Sequence, residues 1–277
     1  MTIDCRWGIS LLVIGLLMGA PAANAGEPAG SLVVIGATAK SSLEIIRQGL
    51  EAGYEITAVA RDPAALALKD PHLKIVQGDV YERSSLQAVM TGKETVISMV
   101  GPRVDPFKEV EKMDLFSTGT TNIIDAMRKK GNRRLLIASS IGVENQFPTE
   151  KPDNMKEPGK MWLWNSRRLY EDMRVMEDIV RKSGLDYVIF RPGFMVQEPA
   201  RHDLVLAVDQ DSPKQRMITY ADFGGFVVAQ VRSDKYLGRT VGVSSDRELQ
   251  FGKNANFEEM AREALERARK EKPREDK

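Results

Sequence analysis

Gly36-Ala37-Thr38-Ala39-Lys40-Ser41-Ser42 follows the apolar run Ser31 to Ile35 and precedes a segment with Leu43, Ile46 and Leu50 at helical spacing. A glycine-bearing turn between a strand and a helix presents backbone N–H groups at a helix N-terminus, where phosphate can be held. Tyr170 and Arg174 are four residues apart and share a helix face, a phenol that could donate a proton beside a fixed cation. The same segment carries the apolar stripe Leu169, Met173, Met176 and Val180, so the pair could equally flank a buried core. Cys5 is the single cysteine and His72 and His202 are the two histidines, which excludes a cysteine metal cluster and makes a multi-histidine metal site improbable. His202 could donate a proton, although a lone histidine in a polar loop is ordinarily just solvated.

These groups need a scaffold that delivers them to one edge. Short continuous apolar runs are expected as strands at 31–36, 55–60, 73–77, 94–100, 134–139 and 186–190. Helices are expected between them at 41–52, 84–90, 114–130 and 162–183, the first and third stopped by Gly53 and Gly131. This alternation predicts an α/β fold, a doubly wound, Rossmann-like parallel sheet covered on both faces. After Pro192 the runs at 204–208, 215–219 and 240–243, with a helix at 221–231, suggest a small C-terminal cap. Residues 145–160 read as an exposed loop, and 251–277 as a charged helical tail with Glu/Arg and Glu/Lys pairs four apart.

Forty basic and thirty-nine acidic residues give a net charge of +1, which argues against a general nucleic-acid binder. A hydrophobic content of 42% against 29% charged residues fits a globular chain and excludes a polytopic membrane protein. Arg6, the apolar stretch Trp7 to Ala20 and the Ala23-Asn24-Ala25 triplet form the pattern of a secretory signal peptide cut after Ala25. The stretch is shorter than the roughly 20 residues that span a bilayer, so no stable membrane insertion is expected after cleavage and a periplasmic destination is expected. A cytoplasmic or membrane-anchored protein is the alternative if the signal is not processed. The domain expected is therefore 26–250.

The turn at 36–42 resembles the G-A-T-G-x-x-G loop of the atypical short-chain dehydrogenase/reductase group, the NmrA-like and biliverdin reductase B-like NAD(P)H-binding proteins. Ala39 and Ser42 stand where that loop has its second and third glycines. Gly78-Asp79-Val80 resembles the family's adenine-contacting G-D-V, and Val100-Gly101-Pro102-Arg103 lies where family members pass the ribose and nicotinamide. Ser139-Ser140 occupies the place of the catalytic-serine region. Ser183-Gly184-Leu185-Asp186-Tyr187 through Arg191-Pro192-Gly193 is close to the family's S-G-L-D-Y-T-x-x-R-P-G, and Ile218 to Asp222 resembles a later I-S-x-x-D element.

The resemblance implies cofactor contacts at Gly36, Thr38, Ala39, Lys40, Ser41, Ser42, Arg61, Asp79, Val80, Gly101, Pro102, Arg103 and Ser139. Arg61, at the end of the second strand, suits a 2′-phosphate and so NADP(H) over NAD. Short-chain reductases use a tyrosine with a lysine four residues on, which makes Ser140, Tyr170 and Arg174 the catalytic candidates. Counting back from Ser183 gives a different register: the family's K-x-x-x-E pattern puts Glu177 in the glutamate place and Met173 in the lysine place. Two functions stay open. One is a reductase passing hydride from NADP(H) to a flavin or quinone-like acceptor, with Met99, Phe107, Trp162, Trp164 and Phe194 available for an apolar pocket. The other is a non-enzymatic exported module that kept the fold and lost the cofactor. Arg61 favours the first; the Ala39 and Ser42 replacements and the export signal favour the second.

Overall fold

The computed structural model describes residues 28–102, 108–153, 158–211 and 217–246. The signal-peptide segment, Arg103, Phe107 and the charged tail fall outside the described residues.

The chain runs β1 (Ser31–Ile35), α1 (Lys40–Glu51), β2 (Glu55–Ala60), β3 (Leu73–Gln77), α2 (Arg83–Val89), β4 (Thr95–Ser98), α3 (Leu115–Lys130) and β5 (Arg134–Ala138). It continues through α4 (Pro158–Arg181), β6 (Asp186–Pro192), β7 (Phe194–Val196), β8 (Leu204–Val208), β9 (Met217–Thr219), α5 (Tyr220–Ala229) and β10 (Arg239–Ser245). Eight strands form one sheet in the order β3-β2-β1-β4-β5-β6-β10-β8. All neighbours are parallel except β8, which runs antiparallel to β10 at the edge. The order reverses between β1 and β4, and a doubly wound sheet opens its ligand crevice at that reversal.

Two-residue periodicity explains why helices cover both faces. Leu32 and Val34 of β1 enter one core with Ile45 and Ile46 of α1 and Phe223 and Val227 of α5. Val33 and Ile35 point the other way, into a second core with Ile123 and Met127 of α3 and Met176 and Val180 of α4. Strands buried on both sides must be apolar at every position, which is the continuous run read in the sequence. The strands expected in the cap at 204–208 and 240–243 complete the main sheet as β8 and β10; among the described residues β7 and β9 form a separate two-stranded parallel pair.

The two ends of α3 are secured differently. Gly131 closes α3 at φ 91°, and its N–H bonds the Met127 carbonyl. At the other end of α3 the buried Asp172 of α4 accepts the N–H groups of Phe116 (2.8 Å) and Ser117 (3.3 Å). Helix α4 starts at Pro158, a residue suited to the first helical position, four residues before the expected start.

Candidate functional site

β1 delivers the chain to Gly36, which turns with φ 79°. A Cβ here would stand 2.8 Å from the Met99 carbonyl oxygen, so only glycine lets the turn pass the end of β4. Ala39 is the residue before α1 and offers no side-chain cap, and the first turn of α1 contains no acidic residue. Among the described residues no side chain accepts the N-terminal N–H groups of α1, the condition in which a helix end holds an anion. Ser42 is fully buried and its hydroxyl donates to the Gly36 carbonyl at 2.8 Å. The serine in the third glycine's place therefore braces the turn. Ser41 is also buried, whereas Lys40 is exposed with its ammonium 5.8 Å from the centre of the Tyr220 ring.

A cleft of about 290 Å³ opens beside this turn, at the C-terminal ends of β1 to β4. Gly36, Thr38, Ala39, Arg61, Asp79, Val80, Gly101 and Pro102, all singled out from the sequence, line it. Lys40, Ser41, Ser42 and Ser139 are not part of the lining. Arg61 is exposed and its carbonyl is tied to the Gln77 amide at 3.2 Å, while no carboxylate among the described residues pairs with its guanidinium. Asp79 shapes the turn after β3: its carboxylate accepts the Tyr81 N–H at 3.0 Å, and its own N–H donates to the Ser85 hydroxyl at 3.0 Å.

Tyr81 and Leu115 also line the cleft, and sequence reasoning missed both. The Tyr81 hydroxyl donates to Asp114 Oδ1 at 2.9 Å. Partial burial and then this carboxylate push the phenol up to about 12, so it stays a neutral donor.

At the ends of β5 and β6 the arrangement is different. Ser140 Oγ accepts the Gly142 N–H at 3.1 Å, starting a 3-10 turn at Ile141–Glu144. The Tyr170 hydroxyl is hydrogen-bonded to Ser140, and its ring lies where a Cβ on Gly142 would collide with it. Phe147 stacks on that ring at 5.5 Å and Trp162 leans on it at 5.8 Å. Burial pushes the Tyr170 phenol up, and the bond to Ser140 pulls it only partly back. Arg174 turns away from the phenol: its Nε donates to the Val143 carbonyl at 2.8 Å and a terminal nitrogen to that of Asn145. The structure thus brings Ser140 and Tyr170 together and uses Arg174 to clasp the following loop. Met173, in the lysine place, is buried with Leu169, Met176 and Val180.

Beneath that end lies a buried ion network. Arg191 grips Glu177 through Nε (2.9 Å) and a terminal nitrogen (2.7 Å), and Arg181 adds a third bond at 2.6 Å. Burial alone would push the Glu177 carboxyl up, but the Arg191 guanidinium overcomes it and holds the group below its usual range. Glu177 and Arg191 are the glutamate of K-x-x-x-E and the arginine of R-P-G, so two separated pieces of the family pattern are one bonded pair. Among the residues considered for an acceptor pocket, Trp162 and Trp164 are engaged in packing, Met99 lines the cleft, and Phe194 is 48% exposed just beyond β6. His202 has φ 55° and an 86% exposed side chain, its backbone N–H bonded to the Asp222 carboxylate.

Comparison with known proteins places this geometry among relatives. A family model described as NAD(P)H-binding matches residues 36–234. The chain is 32% identical over 180 residues to an uncharacterized chloroplastic protein of Arabidopsis thaliana, the match covering 62% of either chain. It is 27% identical over 164 residues to the photosystem II assembly factor Ycf39 of Cyanophora paradoxa, covering 58% of this chain and 44% of that protein. The match thus spans less than two thirds of the length of these relatives. A short-chain dehydrogenase/reductase of Veillonella parvula in complex with NADP shares the fold with a TM-score of 0.60, at 16% identity over 79% of this chain and 96% of that one.

Proposed function

We propose, from the premise that this chain belongs to the NAD(P)H-binding family and is of the atypical short-chain dehydrogenase/reductase type, that it binds NADP(H) and passes a hydride to a flavin or quinone-like acceptor. The observation that carries the reading is the convergence of the Gly36 turn, the start of α1 and Arg61, which no carboxylate among the described residues pairs with, on one cleft at the sheet's reversal point.

The residues present fit such a cofactor. A Cβ would fill the cradle at Gly36, and the N-terminal N–H groups of α1, which the Ala39 side chain does not cap, with Lys40 beside them suit a pyrophosphate. Arg61, which no carboxylate among the described residues pairs with, suits the extra phosphate of NADP, and this is the basis for preferring NADP to NAD. Asp79 and Val80 would meet the adenosine; Gly101 and Pro102 would border the ribose and nicotinamide. A nicotinamide cofactor, when bound, supplies the hydride.

The acceptor class follows from the proton. A carbonyl substrate needs an acid at its developing alkoxide, commonly a phenol lowered by a neighbouring cation. Here Tyr170 is raised by burial, and Arg174 is bonded to backbone carbonyls. Flavins and quinones take their proton from solvent and make no such demand. The test is oxidation of NADPH by the purified protein with free flavin and quinone acceptors and, in parallel, small carbonyl compounds. Turnover with the first two and not the third is expected; turnover with carbonyls alone, abolished in Tyr170→Phe, would return the catalytic role to Ser140, Tyr170 and Arg174.

Export with cleavage after Ala25 belongs to the same proposal as its location. N-terminal sequencing of protein from a fractionated cell checks it, and an intact Met1 in the cytoplasmic fraction would overturn it. If NADPH does not bind, the second reading applies: a non-enzymatic module using the fold to hold a partner.

A further inference from the structure

We infer that Tyr81 is the stacking wall for the adenine base of the cofactor, and that Asp114 holds it there. This rests on the NAD(P)H-binding reading above and names the group that anchors the adenosine end. Tyr81 lines the cleft and is 45% exposed, yet it is tied at both ends. The Asp79 carboxylate accepts its backbone N–H at 3.0 Å and Asp114 accepts its hydroxyl at 2.9 Å.

Asp114 is available for this because another carboxylate has taken its usual task. An aspartate immediately before a helix ordinarily accepts the first helical N–H groups. Asp114 occupies that position before α3 and makes no such bond. Asp172, reaching across from α4, accepts the N–H groups of Phe116 and Ser117 instead. Asp114 is thereby left to fix the phenol, and the next residue, Leu115, lines the same cleft.

A planar ring held at the rim, with Val80 and Leu115 as apolar neighbours, suits the face of a flat base and offers nothing to a phosphate. A ring already ordered before binding loses little freedom when the base arrives. At the Gly36 turn, by contrast, Ala39 adds a methyl where a glycine would allow closer approach. The adenosine end then supplies the larger part of the affinity.

The experiment titrates the full-length protein and its Tyr81→Ala, Tyr81→Phe and Asp114→Asn variants with NADPH, adenosine 2′,5′-bisphosphate and reduced nicotinamide mononucleotide. Base stacking of the usual strength makes Tyr81→Ala weaker by about 10-fold or more toward NADPH and the bisphosphate alike, with the mononucleotide unchanged. Tyr81→Phe and Asp114→Asn keep the ring and lose the tether, and each is expected to weaken both adenosine ligands about two- to fivefold. Bisphosphate binding by Tyr81→Ala equal to wild type would overturn the inference, as would an equal loss toward the mononucleotide. Wild-type protein that binds none of the three would overturn the cofactor reading itself and Tyr81 with it. Should Tyr81→Ala fail to fold, the Phe and Asn variants decide the matter.

Discussion

Arg191 Nε and its terminal nitrogen meet the two oxygens of Glu177 at 2.9 and 2.7 Å, joining β6 to α4 across 14 residues of sequence inside the protein. The pair is nearly inaccessible on its acid side, where Glu177 is 1% exposed. Removing Arg191 leaves the buried Glu177 carboxylate with Arg181 as its remaining cation, so Arg191→Leu is expected to cost about 3 kcal/mol, at the low end for breaking a buried pair, read by urea unfolding. A loss under about 1 kcal/mol would show the pair to be well hydrated. The pH dependence has a definite sign. Glu177 is held below its ordinary value of 4.5, so the bridge contributes fully above that pH and its contribution is lost as pH falls through the depressed value. Glu177→Gln should flatten the acid limb of the stability profile.

Gly36 fixes the entrance to the cleft. Gly36→Ala forces a side chain into φ 79° and against the Met99 carbonyl. The backbone conformation alone costs about 1–2 kcal/mol, before any displacement of β4 is counted. Denaturant unfolding checks this, and NADPH binding should fall with it; a variant of unchanged stability would mean that the turn is free to rearrange.

Ser42 and Ala39 respond in opposite ways to restored glycines. Ser42→Gly removes the bond to the Gly36 carbonyl and places glycine inside α1, and each change costs on the order of 0.5–1 kcal/mol of stability. Ala39→Gly removes a methyl at the helix entrance, where glycine is tolerated better than alanine. It is expected to tighten NADPH several-fold by calorimetry. Weaker binding in Ala39→Gly would refute the idea that the methyl narrows the approach.

Tyr170 is expected to act as packing. Tyr170→Phe keeps the stack with Phe147 and should leave flavin or quinone reduction within about twofold of wild type, whereas an acid in the transition state contributes about 10²–10⁴. Tyr170→Ala removes the ring that presses on Gly142 and is expected to destabilise by about 3–5 kcal/mol in a thermal melt with denaturant calibration.

Much of this fold is legible in the residues because its strands are buried on both faces and therefore read as unbroken apolar runs. The first five strands and the helices between them lie within a few residues of their expected limits. Leu204–Val208 is found at its expected bounds, yet its place is not readable. Its partner β10 arrives only after β9 and α5, and nothing local tells a cap strand from the antiparallel edge of the main sheet. The three residues of β7 are too few to show a period.

The site divides the same way. Gly36, Arg61 and Asp79 announce themselves because each sits at the end of a strand in a short motif. Tyr81 does not, since its meaning depends on a carboxylate 33 residues away. Ser42 looks like a lost glycine until its hydroxyl is seen on Gly36. Arg174 shares a helix face with Tyr170, and spacing cannot show that two loop carbonyls draw it off.

Calorimetric titration of the protein and of Arg61→Ala with NADPH and with NADH tests the central claim most directly. Micromolar NADPH binding is expected, weakened about 10-fold or more in Arg61→Ala by loss of a charge-assisted phosphate contact, with NADH unaffected by the substitution. No heat with either nucleotide at millimolar concentration would contradict it, and equal binding of NADPH by both proteins would remove Arg61 as the determinant of the cofactor.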